Sequence, residues 1–350
     1  MNTDLIDIYS DFLITHAGQS SATMLSLVSG HALSHDQVTR FLSASDYSSK
    51  YLWKLVKPMV RRVETDEACL IFDDTIQEKN WMDENDIICW HFDHCSNRNV
   101  KGINLLNALY HSQDVSIPVA FEIVRKTQTY LDKDGRAKRK SATTKNEMMR
   151  EMIKVCLGNG LKFRHVLMDS WFAATENFDY ITSKGKHFIA ALKDNRLVAL
   201  SEEDRKQGRF TAISSLELPE QQAVRCWLNG YNKEVIIVRR SFINKDGSKG
   251  VLDLVCSDLE LEGAQVVAIY QKRWKVEQYH KSLKSNASLG RSPARSERTQ
   301  SNHVFMSIYA VFKLECLRIK YNINHFALRT RLLTGAFRLA FTQLRSGSFA

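Results

Sequence analysis

Two short apolar runs, each ending in aspartate, constrain this chain most. Ala68-Cys-Leu-Ile-Phe72 runs into Asp73-Asp74-Thr75, and His165-Val-Leu-Met168 runs into Asp169. Four or five apolar residues are too few for a helix but suit a buried strand, which would deliver its carboxylate to the edge of a sheet. Between the two runs, Ile87–Phe92 and Ile103–His111 read as further strands joined by residues 96–102, and Pro118–Val124 extends the last. Short links between neighbouring strands predict an antiparallel meander. Residues 127–144 carry Lys133, Arg136, Lys138, Arg139 and Lys140 and read as a basic polar loop. Lys145–Leu157 has Met148, Met149, Met152, Ile153 and Cys156 at helical spacing and stops at Gly158 and Gly160. A helix over Thr175–Ser183 and a strand over His187–Leu192 complete a βαβ sequence.

The order is therefore three strands, helix, strand, helix, strand, with an Asp after the first strand and another after the fourth. That is the layout of an α/β, RNase H-like core. Residues 1–65 precede it and look helical throughout; Ser34-His-Asp-Gln37 has the form of a capping box, and with Ser20–Leu27 and Gly30 upstream the stretch is similar to a DNA-binding helix-turn-helix or to a plain helical bundle. Tyr51–Val63, with Lys54, Lys57, Arg61 and Arg62, continues as a basic helix. The core is expected over 66–192, then a β-rich insertion over 193–262 whose strands 223–228, 234–242 and 250–256 are parted by Asn229-Gly230 and Lys245-Asp-Gly247 turns. The core resumes over 263–320 with a polar loop at 285–302 and a long apolar helix at 304–319, and a basic helical segment closes the chain at 321–350.

Tyr270–Lys284 contains neither proline nor glycine and predicts one continuous helix. Ile269, Val276, Tyr279 and Leu283 would face the core, while Tyr270, Arg273, Glu277, Lys281 and Lys284 form an adjacent row with one acid among basic and aromatic groups. An ordinary solvated i,i+4 pair of Arg273 and Glu277 gives the same pattern. Three carboxylates from separate elements, Asp74, Asp169 and Glu277, are the minimum set of hard oxygen ligands for divalent ions that cleave phosphodiesters, although Asp73 is an equal neighbour of Asp74.

The pattern Tyr270-x2-Arg273-x3-Glu277-x6-Lys284, with Trp274 directly after the Arg, resembles the YREK signature of the IS4-type DDE transposases of bacterial insertion sequences. The resemblance covers residues 68–320, insertion included, and no motif extends it to the N-terminal region. It implies Asp74, Asp169 and Glu277 as catalytic metal ligands, with two Mg²⁺ ions, for which Mn²⁺ can substitute. Tyr270, Arg273 and Lys284 match positions that hold phosphates near the transposon end, Lys281 shares their row, and Trp274 matches an aromatic beside a flipped base. Trp227 is the only Trp of the insertion, and its position leaves hairpin chemistry open. The implied partners are transposon terminal inverted repeats, target DNA and a second copy of the chain in a synaptic homodimer.

The charge balance agrees with an anionic partner: 49 Lys and Arg against 39 Asp and Glu give +10 and a pI near 9.2. Seven scattered cysteines do not form a disulfide framework and suit a reducing compartment. Without an apolar run of membrane length or a basic leader, a cytoplasmic, DNA-associated protein is expected. Cys89-Trp-His-Phe-Asp-His-Cys95 offers His91, His94 and two thiols as an alternative zinc site, while Asp132-Lys-Asp-Gly135 lacks the Glu of a calcium loop. A DNA-binding protein without catalysis and a nuclease without strand transfer are the alternative functions.

Overall fold

The computed structural model describes residues 3–94, 96–244 and 246–347. Four helices open the chain, α1 (Thr3–Thr15), α2 (Ala22–Val28), α3 (His35–Ala44) and α4 (Ser49–Val63). The capping box is present at Ser34, whose hydroxyl accepts from the Gln37 amide while the Gln37 side chain accepts from the Ser34 amide. Buried Leu52, Trp53, Val56 and Val60 recur along α4, which packs on the sheet.

The core begins with β1 (Cys69–Glu78), β2 (Cys89–Asp93), β3 (Arg98–Ser112) and β4 (Val115–Ile123). The expected meander is corrected in its order: β1 pairs with β3, not β2, and β2 lies at the outer edge on the Arg98–Gly102 end of β3. The fifteen-residue β3 is long enough to pair with β1 along one edge and with β2 and β4 in succession along the other. Gly102 permits that crowding, because a Cβ there would stand 2.3 Å from the Gln77 carbonyl oxygen. A second correction concerns β1, which continues through Asp73 and Asp74 to Glu78 because β3 supplies a ladder along its whole length. The two aspartates are therefore mid-strand and not terminal.

The basic segment is not an irregular loop. Gln128–Leu131 (β5) and Ala137–Lys140 (β6) form a separate two-stranded ribbon. Then follow α5 (Lys145–Gly158), β7 (His165–Met168), α6 (Thr175–Ser183) and β8 (His187–Ala191), with β7 parallel to both β1 and β8. All four residues of β7 are buried, as a parallel strand covered on both faces requires. The β-rich stretch holds β9 (Leu197–Ala199), a short α7 (Glu202–Lys206), β10 (Thr211–Ala212), β11 (Val224–Leu228), β12 (Glu234–Ile243) and β13 (Lys249–Cys256). Its strands join the same sheet, β13 pairing antiparallel with β8. Of the Lys245-Asp-Gly247 turn, Lys245 lies outside the described residues.

Four helices finish the chain: α8 (Gly263–Gln271), α9 (Trp274–Asn286), α10 (Glu297–Tyr321) and α11 (His325–Ser346). The expected single helix over 270–284 is thus two. At the junction, Arg273 donates to the Tyr270 carbonyl and Val276 to the Arg273 carbonyl, i to i+3 bonds that tighten the chain between α8 and α9. The helix after the loop starts seven residues earlier than read, at Glu297, where the Ser296 hydroxyl caps it. Against α10 lies α1, tied by Tyr9 to His303 at 3.0 Å and by Lys313 to Asp7 and Asp11.

Candidate active site

Successive residues of a strand point to opposite faces, so Asp73 and Asp74 part company. Asp73 meets the α8–α9 junction, where the Arg273 guanidinium donates to its Oδ2 at 3.1 Å and to Glu277 Oε1 at 2.6 Å. Asp74 meets the start of α5, accepting from Lys145 Nζ at 2.8 Å. That ammonium also stands 4.0 Å from the centre of the Trp171 ring. Asp169 follows β7 directly and its Oδ1 accepts from the amides of Trp171 and Phe172, an Asx-type turn that ends the strand.

The charges interact. Burial pushes the Asp73 carboxyl up to about 7; Arg273 opposes this, and the negative charges of Asp169 and Asp74 add to it. Burial would lower the Arg273 guanidinium, but Tyr270, Asp73, Glu277 and Asp169 together hold it above its ordinary value. Tyr270 is buried in α8 and its phenol is pushed up to about 12, chiefly by burial. It therefore does not lie on one open helical row with Lys281 and Lys284, which are exposed on α9.

The core face of α9 carries Val276, Tyr279 and Leu283 as read, and it is also latched by polar groups. Asn107, opposite Asp73 on β3, accepts from the Tyr279 hydroxyl at 3.3 Å and lies 3.0 Å from His280 Nε2. Burial lowers His280 to about 3, so the ring is neutral. Beyond this latch, Trp274 is 60% exposed and, with Glu277, Lys281, Arg318, His325 and Phe326, lines a cleft of about 600 Å³ between α9 and the two last helices. Sequence reading missed Lys145, Asn107 and His280. A lysine in the first turn of a helix opposes the dipole, and an Asn inside the apolar β3 run needs a partner; both were available signals.

The donor set suits a divalent cation in kind: carboxylate oxygens, one of them raised chiefly by burial and further by the charges of its neighbours. Two organic cations, Arg273 and Lys145, currently hold Asp73, Glu277 and Asp74, and among the described residues no three His, Cys, Asp or Glu converge on one point. In the alternative zinc segment, Cys89 Sγ and His91 Nε2 are 3.4 Å apart on the buried face and His94 packs on Phe92, while Cys95 lies outside the described residues.

A large mixed sheet with acids at its centre and helices at both ends of the chain is the fold of a DDE nuclease. The chain matches the family model described as DDE superfamily endonuclease over residues 3–211 and that described as transposase DDE domain over residues 122–312. It therefore belongs to the DDE endonuclease and transposase family, an enzyme class whose substrate is DNA and which generally uses divalent metals. No curated protein matches it significantly. The family match begins at residue 3 and so includes the N-terminal helices that no motif covered. Among the described residues no helix is long and apolar enough to cross a membrane.

Proposed function

We propose that this transposase is of the IS4 type, that it binds transposon terminal inverted repeats, and that it moves its element by cutting both ends and joining them to target DNA. The observation that carries the reading is the Arg273 bridge, which links the Arg and Glu of the YREK spacing to an aspartate of the central strand. Glu277, Asp169 and the Asp73–Asp74 pair are the proposed metal-holding carboxylates, with Asp74 assigned by the motif and Asp73 favoured by its face. Two Mg²⁺ or Mn²⁺ ions bound there would activate the attacking oxygen and stabilise the leaving 3′ oxygen.

The chain's own groups bind and orient. Arg273, once a metal neutralises its carboxylates, has a planar fork suited to a phosphate. Exposed Trp274 offers a stacking face beside Glu277, and Lys281 and Lys284 extend positive charge along α9 for the DNA backbone. Tyr270, being buried, acts by packing under Arg273, whose guanidinium carbon lies 6.0 Å from its ring centre. The helices over 1–65 serve as the DNA-binding region, with 66–192 and 263–320 as the catalytic core, 193–262 as the insertion and 321–350 as a terminal segment. A homodimer on DNA holds two ends together, and the exposed Phe337, Leu339, Phe341 and Leu344 of α11 are available to a second copy.

The test is cleavage of a duplex carrying the element's own terminal repeat, with Mg²⁺ or Mn²⁺, by the wild type and by Glu277→Gln. Nicking at the repeat boundary that the variant loses supports the reading. Tight binding with nicking by neither protein replaces it with a DNA-binding role, and cleavage without joining to target DNA leaves a nuclease.

A further inference from the structure

The β5–β6 ribbon lies in a strongly basic stretch of the chain and stands apart from the sheet. Residues 125–145 hold eight basic and two acidic residues, a net +6 of the chain's +10. Seven of the eight strand residues are exposed, including Tyr130 at 41% and Leu131 at 70%. A solvated loop explains the charge but not this order. Gln128 pairs with Lys140 and Leu131 with Ala137, and the tip is fastened by Asp132, whose Oδ1 accepts from the amides of Asp134 and Arg136. Both acids are spent inside the ribbon, Asp132 on Lys138 at 2.8 Å and Asp134 on Arg136 at 3.5 Å. A two-stranded hairpin is marginal alone, and Lys138, Arg139 and Lys140 in succession repel one another, so a polyanion would stabilise this arrangement.

The root of the ribbon points to where that polyanion runs. Arg139 pairs with Asp86 at 2.9 Å and the Lys126 amide donates to the Asp86 carbonyl, fixing the base to the β1–β2 connection. On the other side the chain passes to Thr144, which caps α5, and to Lys145, the partner of Asp74. Four residues lie between Lys140 and Lys145, so the two are at most about 18 Å of extended chain apart. A duplex held at the carboxylates therefore passes the ribbon within about one helical turn. The major groove of B-DNA, about 12 Å wide and 8.5 Å deep, admits a two-stranded ribbon.

We propose that the β5–β6 ribbon is a DNA-binding arm that enters the major groove of the duplex held at the candidate active site. One face presents Tyr130, Lys138 and Lys140, with the Lys140 ammonium 5.7 Å from the Tyr130 ring centre, and the tip presents Lys133 and Arg136 to the flanking phosphates. The proposal rests on duplex DNA being the substrate and not on the assignment of the carboxylates.

The probe is a mixed-sequence duplex, titrated by fluorescence anisotropy in Ca²⁺ at salt from about 50 to about 200 mM. The wild type, Glu277→Gln and the combined variant Lys133→Ala, Arg136→Ala, Lys138→Ala, Lys140→Ala are compared, the last checked for an unchanged melting temperature. The combined variant is expected to bind about ten- to a hundredfold more weakly at low salt, with a salt slope smaller by about two to four. On a duplex whose major groove is filled by glucosylated hydroxymethylcytosine, the wild type should weaken towards the variant and the variant should change little. Equal affinity and slope for wild type and combined variant overturn the proposal, as does undiminished wild-type binding to the glucosylated duplex. Nicking of supercoiled plasmid in Mn²⁺ is read in parallel, and its absence with the arm effect intact strikes only the catalytic reading.

Discussion

The two faces of β1 carry the same side chain one residue apart and treat it differently. On one face Asp73 is joined through Arg273 to Glu277, feels the charge of Asp169, and lies opposite the Asn107 latch that positions α9. On the other, Asp74 has a single ammonium from α5, itself held against Trp171. A motif names residues by spacing, whereas a metal site is defined by which oxygens share a face. Asp73 shares the Arg273 guanidinium with Glu277, and Asp74 faces the seam between β1 and α5.

The comparison depends first on the carboxylates being the reactive set. Glu277→Gln or Asp169→Asn is expected to reduce metal-dependent strand cleavage by about three orders of magnitude or more, with duplex affinity nearly unchanged. Gel assays of cleavage and binding on one preparation check this, and retained cleavage removes the residue from the site. The sharper test sets Asp73→Asn against Asp74→Asn under the same assay. The loss at Asp73 should exceed that at Asp74 by about tenfold or more, the equivalent of about 1.4 kcal/mol in barrier. The reverse order would return the assignment to the motif.

Next comes the wall of the cleft that Glu277 and Trp274 also line. Glu315 is buried at the cleft and bonded by His325 at 2.9 Å, by Arg318 and by the Ser116 amide. Burial alone would raise its carboxyl, but these three donors lower it to about 2 from an ordinary value of 4.5. A depressed folded value means stability that is present above about 4.5 and is lost as pH falls towards about 2. Urea unfolding should show Glu315→Gln destabilised by about 2–3 kcal/mol at neutral pH, with the gap to wild type shrinking below pH 4.5. A gap independent of pH would mean that packing, not charge, holds this wall. The smallest effect is expected from Lys145→Met, which removes a part-exposed pair and should cost about 1 kcal/mol or less with little change in cleavage. A large loss of cleavage there would make the Asp74 face part of the site.

Much of this arrangement was legible in the chain. The strand runs at 68–72 and 165–168, the following aspartates, the Ser34 capping box and the core face of α9 all follow from local pattern, and all are present. What was not legible depends on distant partners. The second half of β1, Asp73 to Glu78, is mostly polar and continues the apolar run as a strand only because β3 pairs with it. Nothing between Tyr270 and Lys284 disfavours a helix, yet Arg273 is pulled by Asp73 two hundred residues away, at the place where the helix tightens. The ribbon was hidden because its charges outweigh the weak strand preference of Thr129, Tyr130 and Leu131. Which of two adjacent aspartates faces Glu277 is likewise a matter of strand parity, and parity is fixed only once a ladder exists.

The union of β13 with β8 has a mechanical result. A module hung on flexible linkers can swing over its substrate, but these strands share backbone hydrogen bonds with the plate that carries Asp169, at Leu254–Ala191 through Cys256–Ile189. Any tilt of the β9–β13 region relative to the carboxylates must bend or break that seam, so it behaves as a stiff extension of the floor and not as a hinged cover.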